Sequence, residues 1–162
     1  MVYNIDQEVY NMYIRQAEKE DVSRIAEILV YNNRTNYFPI FQDEGYSFGE
    51  MQVLTVAENY LQDDEMRNNV FVYDDGIIRG FVQIEGKEIK KLYVDTFFQS
   101  KGIGAALIGY AVTVKGAEYL WALEKNRKAI RFYERHGFHP TGERIFEEGT
   151  TEYLLKLTRQ EY

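Results

Sequence analysis

The stretch Leu92-Tyr-Val-Asp-Thr-Phe-Phe-Gln-Ser-Lys-Gly-Ile-Gly-Ala-Ala-Leu107 runs from the end of a strand, across a short loop, into a helix. Its loop carries Gln99-x-x-Gly102-x-Gly104-Ala105, which opens the helix. The first N–H groups of a helix have no partner within it, and the helix dipole places partial positive charge there. Glycines at 102 and 104 let an anion approach the backbone with no Cβ in the way, and Lys101 can add a positive charge.

The glycine pair admits three roles. It can serve close helix–strand packing alone. It can belong to a dinucleotide fold, since Glu124 follows about twenty positions on at a strand end. Against this, Leu107 occupies the third glycine position and the loop from Val94 to Gly102 is long for that turn. A triphosphate-binding loop fails for want of Gly-Lys-Ser/Thr. The third role is to hold the pyrophosphate of coenzyme A.

Working outward, Glu88 to Val94 reads as a strand. Before it, Val70 to Tyr73 and Ile77 to Ile84 flank Asp74-Asp75-Gly76, a hairpin signature. Asp21 precedes Val22, Ile25 and Leu29, a stripe of helical period. Tyr31 to Tyr46 reads as irregular. A second helix follows, with a capping box from Ser47 and Glu50 and an inward face of Met51, Leu54, Ala57 and Leu61. Met12-Tyr-Ile-Arg begins the first strand, and residues 1–11 form an extension.

Downstream, the helix from Gly102 to Lys115 presents Ile103, Leu107, Tyr110, Ala111 and Val114 on one face. Tyr119 to Leu123 is a short buried strand, Asn126 to Arg135 a helix stopped by Gly137, and Arg144 to Leu157 a hairpin around Glu147-Glu148-Gly149. Strand–helix–strand order demands a parallel pair and the hairpins antiparallel ones. The expectation is an α/β chain with a mixed sheet, one domain over 1–162 and its core over 12–157.

Composition sets limits. A length of 162 residues suits one domain. With no cysteine, disulfides, thiolate metal sites and a cysteine nucleophile are excluded. No apolar run reaches the roughly 18 residues of a membrane span, and Met1 to Met12 is too polar for a signal peptide. A net charge of −7 disfavours nucleic acid and anionic membrane as partners. A cytoplasmic location is expected, as a monomer or homodimer. His136 and His139 do not form a metal motif, because Gly137 and Pro140 break the helix that would align them. No metal is expected.

The Gln99 to Ala105 segment resembles the acyl-CoA signature of the GNAT superfamily of N-acetyltransferases. Further on, Asn126-Arg-Lys-Ala-Ile-Arg-Phe-Tyr133-Glu-Arg-His-Gly-Phe138 is similar to that superfamily's second signature. Gln99 stands where many members carry arginine. The resemblance implies a mostly antiparallel sheet of about six to seven strands with a splayed parallel central pair, flanked by about four helices. It also implies transfer of acetyl from acetyl-CoA, with no covalent enzyme intermediate, to a primary amine of a small molecule or of a peptide or protein N-terminus. On the same resemblance, backbone groups of Gln99, Ser100, Lys101, Gly102, Ile103, Gly104 and Ala105 hold the pyrophosphate. Leu92, Tyr93 and Val94 pair with the pantetheine arm, Asn126 bonds that arm, and Tyr133 lies near its sulfur.

An amine of pKa about 10 must lose a proton before it attacks a thioester, and the departing thiolate leaves more readily if an acid protonates it. Tyr133 is assigned as that acid, although its helical position also suits core packing. Asn126 is also a good helix N-cap. Glu85, Glu88 and Glu124 lie near strand ends and are candidates for the base, or are simply solvated carboxylates. Asn33, Arg34, Tyr37 and Phe38, with Phe41, are candidates for the acceptor wall, or belong to a packed loop. The competing function is an acyl-CoA-binding sensor or scaffold without turnover.

Overall fold

The computed structural model describes residues 12–159. The expected extension over 1–11 lies outside them. The described chain folds into one seven-stranded sheet: β1 Ile14–Gln16, β2 Val70–Asp74, β3 Ile78–Glu85, β4 Glu88–Val94, β5 Tyr119–Leu123, β6 Phe138–Phe146 and β7 Tyr153–Arg159. Their spatial order is β1-β2-β3-β4-β5-β7-β6, and only β4 and β5 are parallel. The α-helices with both ends among the described residues are α1 Val22–Asn32, α2 Phe38–Phe41, α3 Val53–Gln62, α4 Asp64–Asn68, α5 Ile103–Thr113 and α6 Arg127–Arg135. Two of these are single short turns, so four substantial helices flank the sheet, as the resemblance implies.

Strand alternation divides the core between the two faces of the sheet. Val70, Val72 and Phe81 face α1 and α3, where they pack with Ile25, Ile28 and Tyr60. Phe71, Val82 and Ile84 face the opposite way, against Leu107, Ile108 and Tyr110 of α5. Covering both faces is what allows a parallel pair at the centre.

That pair is joined only at Glu88↔Tyr119 and Ile89↔Leu120, although β4 runs on to Val94 and β5 to Leu123. Against β3, Gln83 pairs with Lys91 and Ile84 with Ile89, so Lys90 is the extra residue of a bulge. A bulge bends its strand, and beyond this one β4 leaves β5. The divergence opens the wedge that holds the site.

Several expectations are corrected. Tyr31 to Tyr46 is largely helical: α1 continues through a π-helical turn, Asn33–Tyr37, into α2. The polar run lacks an apolar stripe, so periodicity does not mark it. Pro39 stands in the first turn of α2, directly after the π-helical turn. Ser47 and Glu50 do not start the second long helix. They lie in another π-helical turn, Gly45–Glu50, and α3 begins after Gln52. Its inward residues are Val56, Ala57 and Tyr60, whereas Leu54 and Leu61 are 71% and 43% exposed. Tyr60 is drawn inward because its hydroxyl donates to the buried Gln83 Oε1 at 2.6 Å. Val114 lies past the end of α5 and is exposed. The last hairpin begins earlier than expected, at Phe138, with an irregular register between Pro140 and Arg144.

Candidate active site

A cleft of about 1360 Å³ fills the wedge between β4 and β5. On one side, β4 delivers Leu92, Tyr93 and Val94 to its wall. The chain then makes a tight turn, Thr96–Phe98, with Asp95 Oδ1 accepting from the Phe97 N–H at 2.9 Å. Gln99 Nε2 donates to Val94 O at 3.2 Å and so folds the loop back on its strand. Ser100 and Gly102 both adopt left-handed backbone, at φ 61° and 84°.

The two glycines have separate reasons. A Cβ on Gly102 would meet nothing within 4 Å, so its conformation requires glycine while the space before the helix stays open. A Cβ on Gly104 would lie 3.2 Å from the Phe132 ring, so that glycine lets α5 and α6 approach. Ser100, Gly102, Gly104 and Ala105 line the cleft. The Lys101 and Ile103 side chains do not. Lys101 Nζ stands 6.0 Å over the Phe98 ring, and Ile103 is buried in the core. A second cation at the loop is one the sequence did not single out: Lys128 Nζ donates to Gln99 Oε1 at 3.3 Å and lines the cleft.

Asn126 caps α6, its Oδ1 accepting from the Ala129 N–H at 3.3 Å, and also lines the cleft. Asn126→Ala is expected to destabilise the protein by about 1 kcal/mol while Asn126→Asp restores most of it, read by denaturant unfolding. Equal stability of all three would remove the capping role.

Tyr133 is half-buried on the cleft wall, its ring edge-on to Phe132 at 5.3 Å and Phe138 at 6.4 Å. Burial, with a smaller contribution from Tyr37, pushes its phenol well above the ordinary value. Across from it, Tyr37 Oη and Tyr93 Oη are hydrogen-bonded at 3.1 Å. Burial first, then Tyr37 and Tyr133, raises Tyr93 as well. Three protonated phenols therefore share the cleft. The sequence assigned these tyrosines to different tasks and did not show that they meet.

Of the candidate bases, Glu88 lines the cleft, with its carboxylate 3.1 Å from Lys90 Nζ. Glu85 lies outside it, accepting from Gln83 Nε2 at 3.3 Å. Glu124 also lies outside, past the end of β5, its N–H bonded to Tyr153 O at 2.9 Å. Of the acceptor candidates, Asn33, Tyr37 and Phe41 line the cleft. Arg34 instead braces the π-helical segments, donating to Ser47 O and Met51 O at 3.1 and 3.2 Å, and Phe38 packs edge-on to Phe48. The β6–β7 hairpin adds Glu147 and Glu148 to the opposite wall.

Residues 66–140 match the family described as Acetyltransferase (GNAT) domain. Over that stretch, just under half of its length, the chain is similar to GNAT acetyltransferases. It is 27% identical over 138 residues to the Escherichia coli peptidyl-lysine N-acetyltransferase YiaC, covering 78% of this chain and 82% of that protein. To the Salmonella typhimurium peptidyl-lysine N-acetyltransferase YjaB it is 32% identical over 63 residues, 39% of this chain and 43% of that one, so this match spans under half of that relative. In fold it is similar to apo YjaB from Escherichia coli, with a TM-score of 0.72, 22% identity and 90% and 95% of the two chains covered. The PaiA N-acetyltransferase of Thermoplasma acidophilum, solved in complex with coenzyme A, gives 0.64, 19%, 90% and 97%. These matches support an acyltransferase. Among the described residues, no helix is long and apolar enough to cross a membrane.

Proposed function

We propose that this protein transfers acetyl from acetyl-coenzyme A directly to a primary amine. The observation that carries it is the wedge between β4 and β5, with an open helix N-terminus at one end and a protonated phenol, Tyr133, on its wall. The site's residues suit the co-substrate. Past Ile89, the backbone edge of β4 facing β5 is unpaired by that strand, so Leu92 to Val94 can take an extended amide-bearing arm as a further strand. The N–H groups around Gly102 to Ala105 and the Lys128 ammonium suit the pyrophosphate.

The thioester supplies an activated acyl carbon and a thiolate leaving group. Tyr133 holds the proton that group takes up, and its raised pKa keeps that proton in place at neutral pH. Glu88, the carboxylate among the three candidates that reaches the cleft, suits the base, directly or through water. Tyr37, Asn33 and Phe41 form the acceptor wall opposite the β6–β7 hairpin.

The test is release of free thiol from acetyl-CoA in the presence of a panel of amines. Amine-dependent release supports the assignment. Binding of acetyl-CoA without release across a broad panel would favour a sensor or scaffold.

The phenol also fixes a pH profile. Because the Tyr133 pKa lies above its ordinary value, kcat/KM should rise with pH as the amine deprotonates and show no falling limb below about pH 10. A falling limb near neutrality would place the proton on another group.

A further inference from the structure

Asn33 lies in the π-helical turn between α1 and α2, lines the cleft, and is only 7% exposed. Its Oδ1 is buried with no hydrogen-bond partner, the one such side-chain atom among the described residues. A buried acceptor left unpaired is destabilising by about 1–3 kcal/mol, so a native chain keeps one where something else satisfies it. The terminal torsion of asparagine is soft and roughly two-fold, so the amide can turn its oxygen toward the cleft. A carbonyl oxygen only accepts, so its partner must donate N–H or O–H.

The cleft also carries carboxylates. On the acceptor side, Asp43, Glu147 and Glu148 line the cleft, and among the described residues neither glutamate forms an ion pair. Glu147 is held in an ordered turn: its N–H donates to Glu152 O at 2.8 Å and its carbonyl accepts from Thr150 N at 3.0 Å. It faces the acceptor wall, adding to the rise that burial gives the Tyr37 and Tyr46 phenols. The cleft's cations are placed or engaged elsewhere. Lys128 bonds Gln99, Lys90 pairs with Glu88, and Arg135 is on α6. Lys91 reaches Tyr60 Oη at 3.4 Å, and burial pulls its pKa below the ordinary lysine value.

We infer that the acceptor is an amine carrying a second positive charge, its reacting nitrogen donating to Asn33 Oδ1 and its far cationic group facing Glu147. This rests on the acetyl-transfer reading above. A free aliphatic diamine and a peptide lysine beside a basic residue share this chemistry.

The experiment compares kcat/KM, by thiol release, for putrescine against pentylamine, and for a blocked Lys-Arg peptide against a blocked Lys-Ala peptide. The wild type should favour the dication in at least one pair by about fivefold, the scale of a partly exposed ion pair, and high salt should erode the preference. Whichever pair shows it identifies the source. Glu147→Gln should bring that ratio towards one. Asn33→Ala should lower kcat/KM about fivefold, the loss of one hydrogen bond to an uncharged amine. Its Tm should hold or rise, because an unpaired polar group has gone. Ratios near one in both pairs, with amine-dependent thiol release intact, would overturn the inference and leave acetyl transfer standing. So would an Asn33→Ala protein whose lost activity follows lost stability. No thiol release with any amine would overturn acetyl transfer itself, and this inference with it.

Discussion

Tyr133→Phe is expected to lower kcat by roughly two orders of magnitude or more, the range over which a positioned general acid contributes. The KM for acetyl-CoA should change little, because the removed hydroxyl serves the leaving group in the transition state rather than the ground state. The fold should not suffer. The ring keeps its edge contacts with Phe132 and Phe138, and the hydroxyl has no hydrogen bond to another described residue. Thermal unfolding of the variant should therefore match the wild type. A phenylalanine variant as fast as the wild type would leave the enzyme class intact and move the proton donor elsewhere, with the Tyr37–Tyr93 pair next in line.

Gly80→Ala should give the largest stability loss among substitutions near the cleft that add only one methyl. Gly80 pairs with Val94 at the end of β4. A Cβ there would lie 2.8 Å from Tyr93 O, 3.2 Å from Leu107 Cδ1 and 3.3 Å from Val94 Cα. Two of these are backbone atoms and cannot yield unless β3 and β4 separate. Overpacking of this kind costs about 1–3 kcal/mol, or roughly 5–10 °C in Tm at the upper end for a chain of this size. The displaced strand is also the one that presents Tyr93 and Val94 to the cleft, so affinity for acetyl-CoA should fall with stability. Gly49→Ala is the control: a Cβ there meets nothing within 4 Å and its φ is not positive. Its stability should stay within about 0.5 kcal/mol of the parent. Equal stability of both variants would contradict the close approach at Gly80.

What was legible in the sequence was what is specified locally. Asp74-Asp75-Gly76 marks the β2–β3 turn, Gly102 the start of α5, and Gly137 the end of α6, and all stand where expected. The segment from Asn33 to Glu50 was not legible, because its π-helical turns follow no 3.6-residue period. Nor was the inward phase of α3, which turns on Tyr60 finding Gln83 on a strand 23 residues away.

The site divides in the same way. Gln99 to Ala105, Asn126 and Tyr133 sit within two short motifs, and most of their side chains do line one cleft. The Tyr37–Tyr93 bond joins residues 56 apart and the Lys128–Gln99 bond residues 29 apart, and no local pattern announces such contacts. Glu147 reaches the acceptor wall from the last hairpin, and only the folded sheet brings it there. The three candidate carboxylates differed in the structure because facing depends on register, and a one-residue slip reverses every side chain.

The most direct measurement is mass spectrometry of a primary amine incubated with acetyl-CoA and the purified protein. The expected result is an amine heavier by one acetyl group, formed in step with free coenzyme A and slowed about a hundredfold or more by Tyr133→Phe. Free coenzyme A with no acetylated amine, or no reaction with any amine tried, would contradict it.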